Sequence, residues 1–319
     1  MPTFTTPEPI SATIELVVGD ARIIASDRDD TVVEVRPSDS SHEPDVRAVE
    51  QTRVEYAAGR LLVKTARQRN LGLFGKVGSV DVTIDLPAGS RLQGEGSVAA
   101  FHCMGRLGEC RVKTSTGDIQ LDHARSLELS TGCGTIVVDR VAGRVEASTG
   151  TGKLRIREIG GAGVLRNSNG DIWVGEITGD LQANAASGDI RVDRTHADII
   201  ATTTNGDVRV GEVARGSASL KTACGEIEIG VRAGSAASLD LHTALGRVLN
   251  RMDPVDSPDP SDDTIDVRAR TSYGDILIRR SSVASPRLPE KSADVTSDPL
   301  PVSDLDDWTV KVVRRRGGA

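Results

Sequence analysis

The chain of 319 residues carries 39 basic and 46 acidic residues, a formal net charge of −7. That balance argues against the clustered basic surface of a dedicated nucleic-acid binder. Two Trp, two Tyr and three Phe are its whole aromatic content, so stacking platforms for bases or sugars are scarce. No stretch approaches the ~18 apolar residues of a membrane-spanning helix, and Met1–Ile10 carries neither the basic nor the apolar part of a secretory signal. A cytoplasmic protein without a membrane span is expected.

Residues 1–95 read as an N-terminal β-rich cap segment. Ala12 to Val18 alternates, with Ile14, Leu16 and Val18 on one face. Thr31 to Val35, Arg53 to Tyr56, Leu61 to Lys64 and Val80 to Leu86 continue the strand pattern. Gly19-Asp20, Ala58-Gly59 and Pro87-Ala88-Gly89 mark turns between them. Gln68 to Gly78 is a glycine-rich loop with apolar Leu71, Leu73 and Phe74. No segment of the chain is strongly helical. The expected task of the cap is to cover an open solenoid end, because a bare terminal rung invites edge-to-edge association.

Residues 96–281 repeat one phrase: a glycine, usually an acidic residue, then aliphatic, any residue, aliphatic. It reads Gly170-Asp171-Ile172-Trp173-Val174, Gly188-Asp189-Ile190-Arg191-Val192 and Gly206-Asp207-Val208-Arg209-Val210. The marker glycines are Gly117, Gly134, Gly152, Gly170, Gly188, Gly206, Gly225, Gly246 and Gly274, spaced by 17 to 19 residues as far as Gly225 and by 21 and 28 after it. A fixed period of this length predicts an all-β parallel β-solenoid (β-helix) of nine or ten rungs. A second alternating pair follows in each unit, as in Val145/Ala147, Leu181/Ala183 and Ile199/Ala201, so each rung supplies two short strands. The glycine suits a corner that needs φ > 0, and the Ser, Thr and Asn before it suit stacked hydrogen bonds there.

The interval from Gly246 to Gly274 is 28 residues and contains Asp253 to Pro260, a proline-rich loop extruded from the penultimate rung. Thr264 to Arg270 then resumes the alternation. Residues 282–307 form a Pro/Ser/Asp-rich linker with the composition of disorder. Residues 308–319 are a short strand-like basic tail, in which Trp308, Val310 and Val312 alternate ahead of Arg314-Arg315-Arg316. Docking on a sheet edge, remaining loose and strand addition to a partner all stay open for it.

Asp171, Asp189, Asp207 and Glu226 fall on consecutive rungs, in a column about 4.8 Å apart. Like charges at that spacing repel by about 1 kcal/mol in water, so something must relieve them. Thr135 and Lys153 interrupt the column, and Arg191 and Arg209 share its outer face. Ion pairs and turn amides are therefore expected there in place of a bound cation, and no metal residue is nominated. The outer row Gln120, Val137, Arg155, Trp173, Arg191, Arg209 and Glu228 varies without pattern, and Trp173 reads as a packing or contact residue. The histidines are scattered. Gly150-Thr151-Gly152-Lys153 fails as a phosphate loop, with Ala147 where the first glycine belongs and Leu154 where Ser or Thr belongs. Cys103, Cys110, Cys133 and Cys224 form no CxxC pair or zinc pattern and read as reduced thiols. No catalytic or cofactor-binding residue is nominated, no cofactor is implied, and an enzyme is not expected.

Ile14-Glu15-Leu16-Val17-Val18-Gly19-Asp20-Ala21-Arg22-Ile23, followed by serial Ser/Thr/Asn-x-Gly-Asp-Ile-x-Val units, resembles the DUF4097 family of β-strand repeat proteins over roughly residues 10–281. That family also carries the label "putative adhesin". The Arg- and Ala-rich style resembles that of actinobacterial proteins. The resemblance implies the architecture and no activity, since the family brings no catalytic residues to carry over. The leading expectation is a non-enzymatic scaffold that binds protein partners or self-associates. The alternative is a surface adhesin or a glycan-binding, carbohydrate-active β-helix. A groove around Trp173, Arg155, Arg191 and Arg209 would favour the alternative, and a mixed-charge face would favour the scaffold.

Overall fold

The computed structural model describes residues 2–66, 77–252 and 264–281. Most of the Gln68–Gly78 loop, the Asp253–Pro260 loop, the 282–307 linker and the 308–319 tail lie outside the described residues. The described part falls within one unit, Met1–Ser282.

The N-terminal elements are β1 (Thr3–Thr5), β2 (Ser11–Ser26), β3 (Asp30–Pro37), α1 (Glu43–Glu50), β4 (Arg53–Ala57), β5 (Arg60–Lys64), β6 (Val80–Pro87) and β7 (Arg91–Thr116). The repeats supply β8 (Ile119–Cys133), β9 (Ile136–Val141), β10 (Val145–Thr151), β11 (Leu154–Ile159), β12 (Gly163–Asn169), β13 (Ile172–Ile177), β14 (Leu181–Ser187) and β15 (Ile190–Thr195). Then come β16 (Ile199–Thr202), β17 (Val208–Val213), β18 (Ser217–Lys221), β19 (Ile227–Val231), β20 (Ala236–Leu245), β21 (Val248–Arg251), β22 (Thr264–Tyr273) and β23 (Ile276–Arg280).

The stack is parallel, and two walls run along it. One wall contains β9, β11, β13, β15, β17 and β19, paired so that Leu154 lies beside Ile136 and Ile172, and Ile190 beside Val208. The other contains β10, β12, β14, β16 and β18, paired so that Ala147 lies beside Leu165 and Leu165 beside Ala183. The pairing shifts by one 18-residue unit per rung, as the period predicts, and the fold is a parallel β-solenoid.

The two aliphatic positions after each glycine face inward. Ile136/Val138, Leu154/Ile156, Ile172/Val174 and Ile190/Val192 are all buried, as are Val141, Ile159, Ile177 and Val213 further along the rung. Each such side chain contributes roughly 1.5–3 kcal/mol of apolar burial. The facing wall supplies smaller residues such as Ala147, Ala183 and Ala201. At Gly163 the methyls of Leu181, Ile177 and Ile159 lie 3.1–3.4 Å from where a Cβ would stand, so large side chains fill the space a missing one leaves.

Rung stacking begins at Ser11. β2 pairs in parallel with β7 from Ser11↔Arg91 to Ala25↔Gly105, and on its other side with β5 and β6. The boundary drawn at residue 95 therefore falls inside β7. Beyond β5 and β6 the direction reverses: β4 is antiparallel to β5, β3 to β6 and β1 to β3.

Two features differ from the sequence expectation. The first is α1, where no strong helix was expected. Pro44 sits in its first turn with Glu43 and Asp45, the residue types that suit a helix start. The buried Asp45 carboxylate accepts the amides of Ser79 (3.0 Å) and Asp39 (3.1 Å) and meets His42 Nδ1 at 2.7 Å. These bonds hold Asp45 below the usual carboxylate range, the Ser79 amide first. In so short a helix, that proline-bearing acidic first turn was the available sequence signal.

The second is the order of the last rungs. Sequence order predicts 217–231, then 236–251, then 264–280. Instead β22 pairs with both β18 and β20, and β23 with both β19 and β21. The final rung of the chain is inserted, and β20 and β21 form the outer edge. The glycine column agrees: a Cβ on Gly274 would meet Gly225 O at 2.0 Å, and one on Gly246 would meet Gly274 O at 2.0 Å. The physical reason lies in β21. Asn250 pairs with Ile278 at a position that is aliphatic in the other rungs. Burying an amide without a partner costs about 1–3 kcal/mol, so this rung belongs at the end. There Asn250 is exposed, and its Oδ1 accepts the Met252 amide at 3.0 Å.

Candidate functional site

At every corner but that of Gly246 the marker glycine has φ in the left-handed-favouring range, +126° to +155°. Its carbonyl points along the stack and needs a donor. A buried Thr of the next rung provides one: Thr131 Oγ1 donates to Gly117 O, Thr149 to Gly134 O and Thr203 to Gly188 O, each at 3.0 Å. Thr222 and Thr271 do the same for Gly206 and Gly225, and Asn167 Nδ2 for Gly152 at 2.9 Å. Ala185 occupies the corresponding position on β14 and has no group to donate. The polar residues before each glycine were expected to bond at the corner, and this inward ladder is the form that bonding takes. Thr149→Val keeps the shape and removes the donor, leaving Gly134 O unsatisfied. It is expected to cost about 1–3 kcal/mol, whereas Thr149→Ser stays near wild type. Denaturant unfolding of the two variants checks this.

The acidic column lies just outside the ladder. Asp189 Oδ1 accepts the Asp207 amide at 2.8 Å, Asp207 Oδ1 the Glu226 amide at 2.8 Å, and Asp171 Oδ1 the Asp189 amide at 3.3 Å. Asp118 and Asp275 repeat the contact with the amides of Thr135 and Arg247. Lys153 lies 3.8 Å from Asp171 and Arg209 2.7 Å from Asp207. Arg247 holds the Asp275 carboxyl below its ordinary range through a side-chain bond and a backbone amide. The five aspartates thus each bind the next rung of the stack, and the repulsion is relieved by amides and cations of the chain itself. Arg191 does not join this column; it turns to Asp193 at 2.9 Å. Among the described residues no group of three or more His, Cys, Asp or Glu is placed to hold a metal ion.

The outer row of the first wall brings Val137, Arg155, Trp173, Arg191 and Arg209 into one line by register. Trp173 is half-buried, and the Arg155 guanidinium carbon sits 4.6 Å from its ring centroid. That stacking is worth about 0.5–1 kcal/mol at an exposed site, and it occupies a face of the indole. A neighbouring row mixes the two signs along the stack, with Arg140, Glu158, Glu176, Arg194 and Glu212 side by side in that order. Arg140 meets Glu158 at 2.7 Å, Glu176 meets His196 at 2.7 Å, and Arg194 lies between Glu176 (3.9 Å) and Glu212 (3.6 Å). Arg157 pairs with Asp139 one rung away and lowers that carboxyl's pKa. Such exposed pairs contribute ~0–1 kcal/mol each, so their main effect is a locally neutral, mixed-charge surface.

A shallow trough of about 810 Å³ crosses the second wall over five rungs, from Lys113 to Ala186. Small residues line it (Ser130, Gly132, Ser148, Gly150, Ser168), with Lys113, Arg166 and Asn184 among them. Ser148 Oγ and Ser130 Oγ are 3.1 Å apart. The smallness of the lining residues on successive rungs was the available signal for a groove.

Burial separates the cysteines. Cys103 and Cys110 are buried, Cys133 and Cys224 exposed, and all four are free thiols. Desolvation raises Cys103 well above the ordinary thiol range and pushes Cys110 up to about 12. A maleimide is therefore expected to label Cys133 and Cys224 in the native protein and the other two only after unfolding, as intact mass would show.

A search of curated proteins found no match. Among solved structures, a "putative adhesin" from Bacteroides fragilis is 12% identical, covering 87% of this chain and 95% of its own, with a TM-score of 0.35. A "putative lipid binding protein" from Parabacteroides distasonis is 12% identical over 86% and 95%, with a TM-score of 0.39. A "putative cell adhesion protein" from Clostridium sporogenes is 10% identical over 88% and 98%, with a TM-score of 0.22. At TM-scores below 0.5 these similarities carry no further argument. The Toastrack DUF4097 family profile matches residues 12–212, well over half of the chain, in which the serial glycine corners and their aliphatic pairs recur. The chain belongs to the Toastrack DUF4097 family.

Proposed function

We infer that this protein is a non-catalytic scaffold that presents the flat first wall of its solenoid to a protein partner. The observation that carries the reading is the mixed-charge face around Trp173, where Arg155, Arg157 and Arg194 are each engaged by a ring or a carboxylate of a neighbouring rung and Arg209 by Asp207 of its own. Such a surface offers many weak, geometrically fixed contacts across a rigid stack and suits a broad protein interface. Photo-crosslinkers at Val137 and Arg191, in tagged chain recovered from fractionated native cells, test it. A single protein crosslinked in stoichiometric amount at both positions supports the scaffold, and its fraction tells where the chain resides. A chain recovered alone from every fraction rejects it.

A second reading rests on the trough. Rows of hydroxyls and amides repeating every ~4.8 Å, with Lys113 and Arg166 beside them, match the hydrogen-bonding needs of an extended glycan. Binding to a glycan array that Ser148→Leu abolishes would favour this adhesin-like reading over the scaffold.

A further inference from the structure

The two ends of the solenoid differ. The N-terminal end is finished by short antiparallel strands, β4 on β5 and β3 on β6, with β1 outside β3. The C-terminal end is a parallel rung, β20 and β21, and among the described residues no strand lies beyond it. Its core-facing Leu239 and Leu241 are only partly buried, whereas Ile265, Val267 and Ala269 one rung inside are 0–1% exposed. Leu245 and Val248 are 63% and 43% exposed. A ten-residue edge with apolar side chains is a template for another strand.

We propose that this edge docks a second copy of the chain, with β20 pairing antiparallel to β20 about a two-fold axis at Leu241. Symmetry and charge select that register. In an antiparallel pair the side chains of directly opposite residues share a face, so the axis must pass through a residue for core-facing Leu239 and Leu241 to meet core-facing partners. An axis through Asp240 sets two carboxylates against each other. An axis one residue on, at Leu241, sets Asp240 against His242 of the second copy, twice, and Leu239 against its Thr243. It also overlaps nearly the whole strand. A two-fold contact is closed, so assembly stops at the dimer. The capped N-terminal end, whose edge strands run antiparallel, removes the matching rung that a head-to-tail filament would need.

Sedimentation of the full chain across a concentration series tests this. The expected result is a monomer–dimer equilibrium. Asp240→Lys, on an exposed side chain that also meets Arg270 of its own chain at 3.3 Å, replaces the carboxylate facing His242 with a cation at two symmetric positions and should weaken the dimer about tenfold or more without changing the far-UV spectrum. Exchanging the pair, with Asp240→His and His242→Asp together, should restore wild-type association, because the symmetry rebuilds both contacts. A wild-type chain that stays monomeric throughout overturns the proposal. If the β20 amides of that monomer resist hydrogen exchange, the chain's own residues cover the edge. A dimer indifferent to Asp240→Lys and to the exchange, or an assembly that grows without limit, overturns it as well. None of these outcomes depends on the partner proposed for the first wall.

Discussion

Gly188→Ala is expected to destabilise the protein by more than about 4 kcal/mol, or to prevent folding outright. Two independent penalties meet at this residue. Its φ of +140° lies where L side chains are strained, and a Cβ there would stand 2.1 Å from Gly170 O and 2.5 Å from Gly170 C. The obstacle is backbone of the rung below, held by the Gly170 N to Ser187 O bond on one side and the strand ladder on the other. It cannot rotate away as a side chain can. Gly59 provides the control. It also has positive φ, +73°, but nothing lies within 4 Å of its Cβ position, so Gly59→Ala should cost only about 1–2 kcal/mol. Thermal unfolding of the two variants separates conformational strain from collision with the stack; equal losses would refute the account.

Phe101→Ala is expected to cost about 3–5 kcal/mol. Phe101 is fully buried and pairs with Ile119, so it occupies the inward position that is aliphatic on later rungs. Its ring is accommodated by glycines: a Cβ on Gly94 would lie 2.7 Å from Cε1, and one on Gly96 3.3 Å from Cε2. Truncating the ring leaves a void flanked by residues with no side chain to refill it, and strand spacing stops the walls from closing. Val137→Ala, at a position 36% exposed, is the reference and should change the melting temperature little. A small loss at Phe101 would mean that the glycine-lined pocket collapses freely.

Much of the architecture was legible in the chain itself. The 18-residue spacing fixed the rung length, and the aliphatic pairs fixed which faces turn inward, because a strand's side chains alternate and a stack repeats. The acidic column was placed by the same arithmetic, as was its relief by amides; Arg209 joins it as expected, whereas Arg191 swings to Asp193. That difference is a rotamer choice between two carboxylates within reach, which spacing does not encode. The resemblance to DUF4097 rested on the glycine-acidic-aliphatic phrase, which the family match also covers.

By itself, then, the sequence determined the unit: a two-strand rung, a glycine corner and a hydroxyl to satisfy it. Tertiary structure decided how the units are ordered and finished. Nothing periodic distinguishes one rung's neighbours from another's, so the insertion of β22 and β23 inside β20 and β21 follows from burying Ile276 and Ile278 and leaving Asn250 in water. Helix α1 exists because Asp45 finds the Ser79 amide far along the chain. The trough exists because small residues on five rungs come into line. Each of these depends on contacts between residues distant in sequence, and a local pattern holds no record of such contacts until the chain has folded.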